Sequence, residues 1–108
     1  MSKIDFSERR LGIEQEFFLV DREGVLSNQA DALLQRCWQI AEAENHDPQC
    51  FVAEFVKSIV EINTIPVYNL SQLTAEYLKT LKIGLRAARD LDLRLYPLST
   101  YPLHIMPV

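Results

Sequence analysis

The sequence predicts an α+β fold in the order β-β-α-β-β-α-β, a largely antiparallel or mixed sheet with two helices on one face. Three observations carry that reading. Short apolar, β-branched runs bounded by turn residues recur along the chain; two longer segments space their apolar residues at helical intervals; and the connections between them are short. At 108 residues the chain holds at most one domain, with one modest core. Its apolar fraction of 48% and charged fraction of 24% are those of an ordinary globular protein.

Residues 11–20 read as the first strand, and Asp21-Arg22-Glu23-Gly24 as a turn in which Gly24 takes the left-handed conformation. Val25 then opens a short return strand. Asn28 is placed to cap the first helix. The apolar stripe of that helix, Ala30, Leu33, Leu34, Cys37, Trp38 and Ala41, falls at helical spacing. The helix is expected to end near Asn45-His46, before Asp47-Pro48, with His46 beside the negative end of its dipole. Strands at 51–55 and 58–64 follow, joined by a tight turn, and Pro66 stops the second. Asn69 or Ser71 caps a second helix running to about Leu91, with Leu78, Leu81, Gly84, Leu85 and Ala88 on its buried side. Residues 93–98 give the last strand. No repeat, low-complexity run or linker interrupts the order.

Composition narrows the function. A net charge of −4 argues against a nucleic-acid binder, which would show a basic stripe. Lys79, Lys82, Arg86 and Arg89 fall on a helix and read as ordinary solvated positions. No apolar run approaches membrane-spanning length, and residues 1–10 lack a secretory apolar region, so a cytoplasmic, non-membrane protein is expected. Cys37 and Cys50 lack a C-x-x-C spacing and read as reduced thiols, Cys37 in the core. Trp38 reads as core, and His104, in a proline-bounded tail, as loop.

The chemistry lies in the carboxylates. Glu14 and Glu16 sit inside an otherwise apolar strand, and alternation points both to one face. Like charges that close repel each other and lose hydration, which a divalent cation between them would relieve. Glu54 and Glu61 repeat the arrangement in the strand pair at 51–64. With Glu14 and Glu16 on the open face, Ile13, Phe17 and Leu19 face the helices and Gln15 is the one misfit. Ile59, Glu61 and Asn63 share the open side, and Val60 and Ile62 turn inward. Glu54 shares a face with Val52. Glu14, Glu16, Glu54 and Glu61 can therefore meet on one surface as metal ligands.

These residues also carry a family resemblance. Gly12-Ile13-Glu14-Gln15-Glu16-Phe17 resembles the G-x-E-x-E strand opening of the glutamate–cysteine ligase and carboxylate–amine ligase family. Glu54 to Ser58, then Val60-Glu61-Ile62-Asn63-Thr64 with Pro66 close behind, resembles that family's second acidic strand pair. The helix at 71–91 and a final strand reaching Ser99-Thr100-Tyr101-Pro102 fit the same order.

The resemblance implies the N-terminal part of a longer, glutamine-synthetase-like catalytic domain, with residues 1–108 as a single partial domain. It implies an ATP-dependent ligase using Mg²⁺, or Mn²⁺, with a place in glutathione biosynthesis. The glutamate side-chain carboxylate is joined through an acyl phosphate to the amine of cysteine or of another amino acid or amine. Carried over by motif position, Glu14, Glu16 and Glu61 hold the metal, and Glu54 completes the acidic cluster. Many relatives read G-T-H-P where this chain reads Ser99-Thr100-Tyr101-Pro102, so no histidine role passes to Tyr101.

Three readings follow. The leading one is a ligase whose acidic strands this chain supplies, the fragment alone being inactive. The second is a non-catalytic binding or assembly module, a truncated ligase fragment that keeps the acidic face. The third is a small regulatory domain in which solvated edge glutamates, such as Glu54 paired with Lys57, carry no ligand. The sequence leaves a homo-oligomer open and names no catalytic or nucleotide-binding side chain.

Overall fold

The computed structural model describes residues 10–98. Ser99-Thr100-Tyr101-Pro102 and His104 lie outside them. The fold is α+β, with elements β1 (Glu14–Val20), α1 (Ala30–Ala43), β2 (Phe51–Ala53), β3 (Ile59–Asn63), α2 (Leu70–Asp90) and β4 (Arg94–Pro97). The four strands form one sheet in the order β2-β3-β1-β4, and every neighbouring pair is antiparallel. None of the helices is long and apolar enough to cross a membrane.

Alternation divides the sheet as the strand parity requires. Phe17 and Leu19 of β1, Val60 and Ile62 of β3 and Phe51 of β2 are buried in one core cluster with Leu33, Leu34, Ile83 and Ala87 of the helices. Both helices thus cover the same face. The odd inward position, Gln15, reaches past the sheet: its Nε2 donates to the Glu16 and Leu98 carbonyls.

Local signals place several boundaries. Gly24 has φ +83° in the first turn. Asn69 caps α2, its side chain accepting from the Gln72 backbone N–H, while Gln72 Oε1 accepts from the N–H of Tyr68. Both helices end with the residue after the C-cap in the left-handed region, Asn45 (φ 56°) and Asp92 (φ 59°). In each, the next N–H reaches back to the first carbonyl of the last turn, His46 to Ala41 and Leu93 to Ala88.

Other expectations are corrected. The return strand after Gly24 shrinks to a single bridge, Val20 to Leu26, because Asp21 Oδ1 gathers the Glu23 and Val25 N–H groups into a tight turn. The order is therefore β-α-β-β-α-β. Asn28 does not cap α1; the N-cap is Gln29, without a side-chain bond. The Ala30 N–H is satisfied instead by the Lys57 carbonyl. Trp38 is 39% exposed and donates Nε1 to the Phe51 carbonyl, while Ile40 takes the core position. On α2, Leu78 and Leu85 face outward, and Thr80, Ile83, Gly84, Ala87 and Ala88 are buried. Small side chains let this helix sit close to the sheet. An added Cβ at Gly84 would lie 2.7 Å from Ile62 Cδ1. His46 does follow the C-terminus of α1, its N–H donating to the Ala41 carbonyl, and its side chain is buried with Nε2 2.9 Å from Thr80 Oγ1. Lys57 pairs with Asp31 at 3.1 Å.

Candidate metal centre

The face turned away from the helices carries the acidic residues. Glu16 of β1 stands directly opposite Glu61 of β3, and Glu14 opposite Asn63. Glu54 follows the end of β2, where the chain turns towards β3. Each of Glu16, Glu54 and Glu61 is half-buried and offers a carboxylate oxygen, and these oxygens all lie within 4.8 Å of one another. Glu14 is exposed and stands outside this group of three. It lines a neighbouring cleft of about 550 Å³ with Arg10, Asn63 and Thr64. A hollow of similar size, about 590 Å³, lies at the outer edge of β2 and is lined mostly by apolar residues such as Trp38 and Val52.

Carboxylates held this close repel one another. Directly opposed like charges on a sheet are destabilising. The carboxyl of Glu54 is raised above its ordinary value, first by a hydrogen bond with Glu16, then by lost hydration and the Glu16 charge. Hydrogen bonds with Glu61 and the Phe55 backbone oppose that rise.

The residues present fit a hard divalent cation. Carboxylate oxygens are its preferred protein ligands, and around Mg²⁺ two of them sit about 3 Å apart when adjacent and about 4.2 Å apart when opposite. The oxygens of Glu16, Glu54 and Glu61, all within 4.8 Å of one another, lie near that range. Asn63 adds a feature that spacing did not reveal. Its Nδ2 donates to Glu61 Oε2 at 2.9 Å, and its Oδ1 is buried without a hydrogen-bond partner among the described residues. The signal available in the sequence was the position of Asn63, two residues after Glu61 and so on the same face.

Two comparisons bear on this geometry. The family model described as glutamate-cysteine ligase family 2 (GCS2) matches residues 10–107. The chain is also 35% identical to a protein of Nocardioides sp. named "Putative glutamate--cysteine ligase 2-3", over 93% of this chain and 27% of that relative. It thus spans about a quarter of the length of the curated relative it matches.

Proposed function

The chain belongs to glutamate-cysteine ligase family 2, and from that premise we propose that it supplies the acidic strands of an ATP-dependent carboxylate–amine ligase. The reaction joins the glutamate side-chain carboxylate, activated as an acyl phosphate, to the amine of cysteine or of a similar amino acid. The observation that carries this reading is the convergence of Glu16, Glu54 and Glu61 on the open sheet face. These three residues would hold Mg²⁺ or Mn²⁺, and Glu14, one pleat along the same strand, extends the acidic surface towards the cleft. When bound, such a cation stabilises charge on the phosphoryl oxygens as it builds up.

The chain's own contribution is placement. Glu16 and Glu61 are fixed by pairing between the two central strands. Their chain neighbours Phe17, Val60 and Ile62 are anchored in the core. The backbone that carries the carboxylates is thereby held in position before any ligand arrives, which would limit reorganisation during the reaction.

The test is ATP-dependent coupling of glutamate to cysteine, read as phosphate release, in the full ligase that carries these strands. Glu16→Gln and Glu61→Gln preserve shape and remove charge. Each is expected to lower turnover by about 10²-fold or more, with folding intact by circular dichroism. Near-normal turnover in both would overturn the proposal. Cation binding without any turnover in the unmutated protein would favour the non-catalytic binding module.

A further inference from the structure

The Asn63 amide is engaged on one side only. Nδ2 bonds Glu61 Oε2 at 2.9 Å, while the buried Oδ1 meets no donor among the described residues. Chemistry fixes which atom is which: only the NH₂ group can face a carboxylate, since the reverse would set two acceptors against each other. A buried acceptor without a donor is unfavourable. Threonine or valine would suit the end of β3 at least as well. The amide is therefore not explained by the strand.

Glu61 supplies an explanation. Its carboxylate stands directly opposite Glu16 and close to Glu54, so repulsion drives this flexible side chain away from the other two. A charge-assisted hydrogen bond from the next residue on the same face opposes that drift. Resting on the cation reading above, we infer that Asn63 is a positioning residue of the metal centre. Nδ2 engages Oε2 of Glu61 and so holds the carboxylate in the convergent arrangement. Oδ1 would be left to accept an O–H from water that such a cation would retain. Partners that orient a ligand in this way change metal affinity without touching the ion.

The experiment measures Mn²⁺ binding to this chain by electron paramagnetic resonance at fixed ionic strength. Wild type is compared with Glu61→Gln, Asn63→Leu, Asn63→Gln and Asn63→Met. Asn63→Leu is expected to weaken Mn²⁺ binding about tenfold or more, without lowering the melting temperature of the metal-free chain. Asn63→Gln, which keeps an amide donor, should retain most of the affinity; Asn63→Met, matched to it in shape, should not. Unchanged affinity in Asn63→Leu and Asn63→Met, beside its loss in Glu61→Gln, would overturn the positioning role and leave the cation reading standing. An equal fall in all three Asn63 variants, with lowered metal-free melting, would assign Asn63 a purely structural role. Wild type binding no more Mn²⁺ than Glu61→Gln would overturn the cation reading, and this inference with it.

Discussion

Gly84 sets how closely α2 approaches the strand that carries Glu61, and its replacement by alanine sets two effects of similar size against each other. Alanine gains about 1 kcal/mol over glycine in a helix interior. Its Cβ, however, would lie 2.7 Å from Ile62 Cδ1, against a comfortable carbon–carbon separation of about 3.5–4.0 Å. Ile62 is only 2% exposed, so Cδ1 has no solvent to turn into. Overpacking of this kind costs about 1–3 kcal/mol, which leaves Gly84→Ala between neutral and about 2 kcal/mol destabilising. Ile62→Val removes Cδ1 and alone costs about 0.5–1.5 kcal/mol. In that background the obstruction is gone, and Gly84→Ala should stabilise by about 1 kcal/mol. Urea denaturation of the four proteins closes a double-mutant cycle with a favourable coupling of about 1–3 kcal/mol. A gain of about 1 kcal/mol for Gly84→Ala in wild type, with no coupling to Ile62, would refute the close docking of α2 on β3.

Further outcomes follow from the same structure. The raised carboxyl of Glu54 keeps a proton in the folded chain after the unfolded chain has released it. That contribution is fully present below the ordinary value of 4.5 and is lost as pH rises through the folded value. Melting curves without metal should show wild type losing stability relative to Glu54→Gln above pH 4.5, and Mg²⁺ should reverse the loss; parallel curves would remove the repulsion argument. Asn45 occupies a left-handed position at φ 56°, so Asn45→Gly should raise stability by several tenths to about 1 kcal/mol in urea melts, and a loss would contradict the assigned backbone. Burial pushes the Cys37 thiol up to about 12. Burial, with the charges of Asp47 and Glu76, pushes the Cys50 thiol up to about 11. Both should resist disulfide reagents at pH 8 in the folded chain, since each is buried and holds little thiolate. Rapid labelling of either would show that its burial is incomplete.

What the sequence made legible was local or periodic. The turn at Gly24, the Asn69 cap and the inward run of Phe17, Leu19, Val60 and Ile62 each depend on a residue type or on a period of two. The common face of Glu16 and Glu61 follows from the same alternation. Their direct opposition does not, because register is decided between strands: the pairing of Phe17 with Val60 brings Glu16 opposite Glu61. The inner face of α2 was misread for a related reason. Gly84 and Ala88 were placed inward correctly, but hydrophobicity also favoured Leu78 and Leu85, whereas docking chose Thr80, Ile83 and Ala87. Trp38 misled in the same way, since its size suggested core while its indole N–H required the Phe51 carbonyl. The start of α1 could not be read from Asn28 because the group that satisfies it, the Lys57 carbonyl, is distant in sequence.

The acidic centre and the core share residues of β1 and β3 but not a face, and this explains how one small domain supports both. Each site carboxylate on these strands has an inward neighbour: Phe17 follows Glu16, and Val60 and Ile62 flank Glu61, all buried in the core cluster. Electrostatic repulsion between Glu16, Glu54 and Glu61 therefore acts on side chains whose backbone is already held by apolar packing on the other side of the sheet. Glu16 and Glu61 lie on paired strands, while Glu54 lies beyond β2, on the chain that turns towards β3. Two ligands thus belong to the rigid centre of the sheet, and the third to a connection with fewer constraints. Under the proposed function that division would suit cation binding, because Mg²⁺ shares its sites between carboxylates, phosphates and water. In that reading the asymmetry would put geometric precision in Glu16 and Glu61, and adaptability in Glu54.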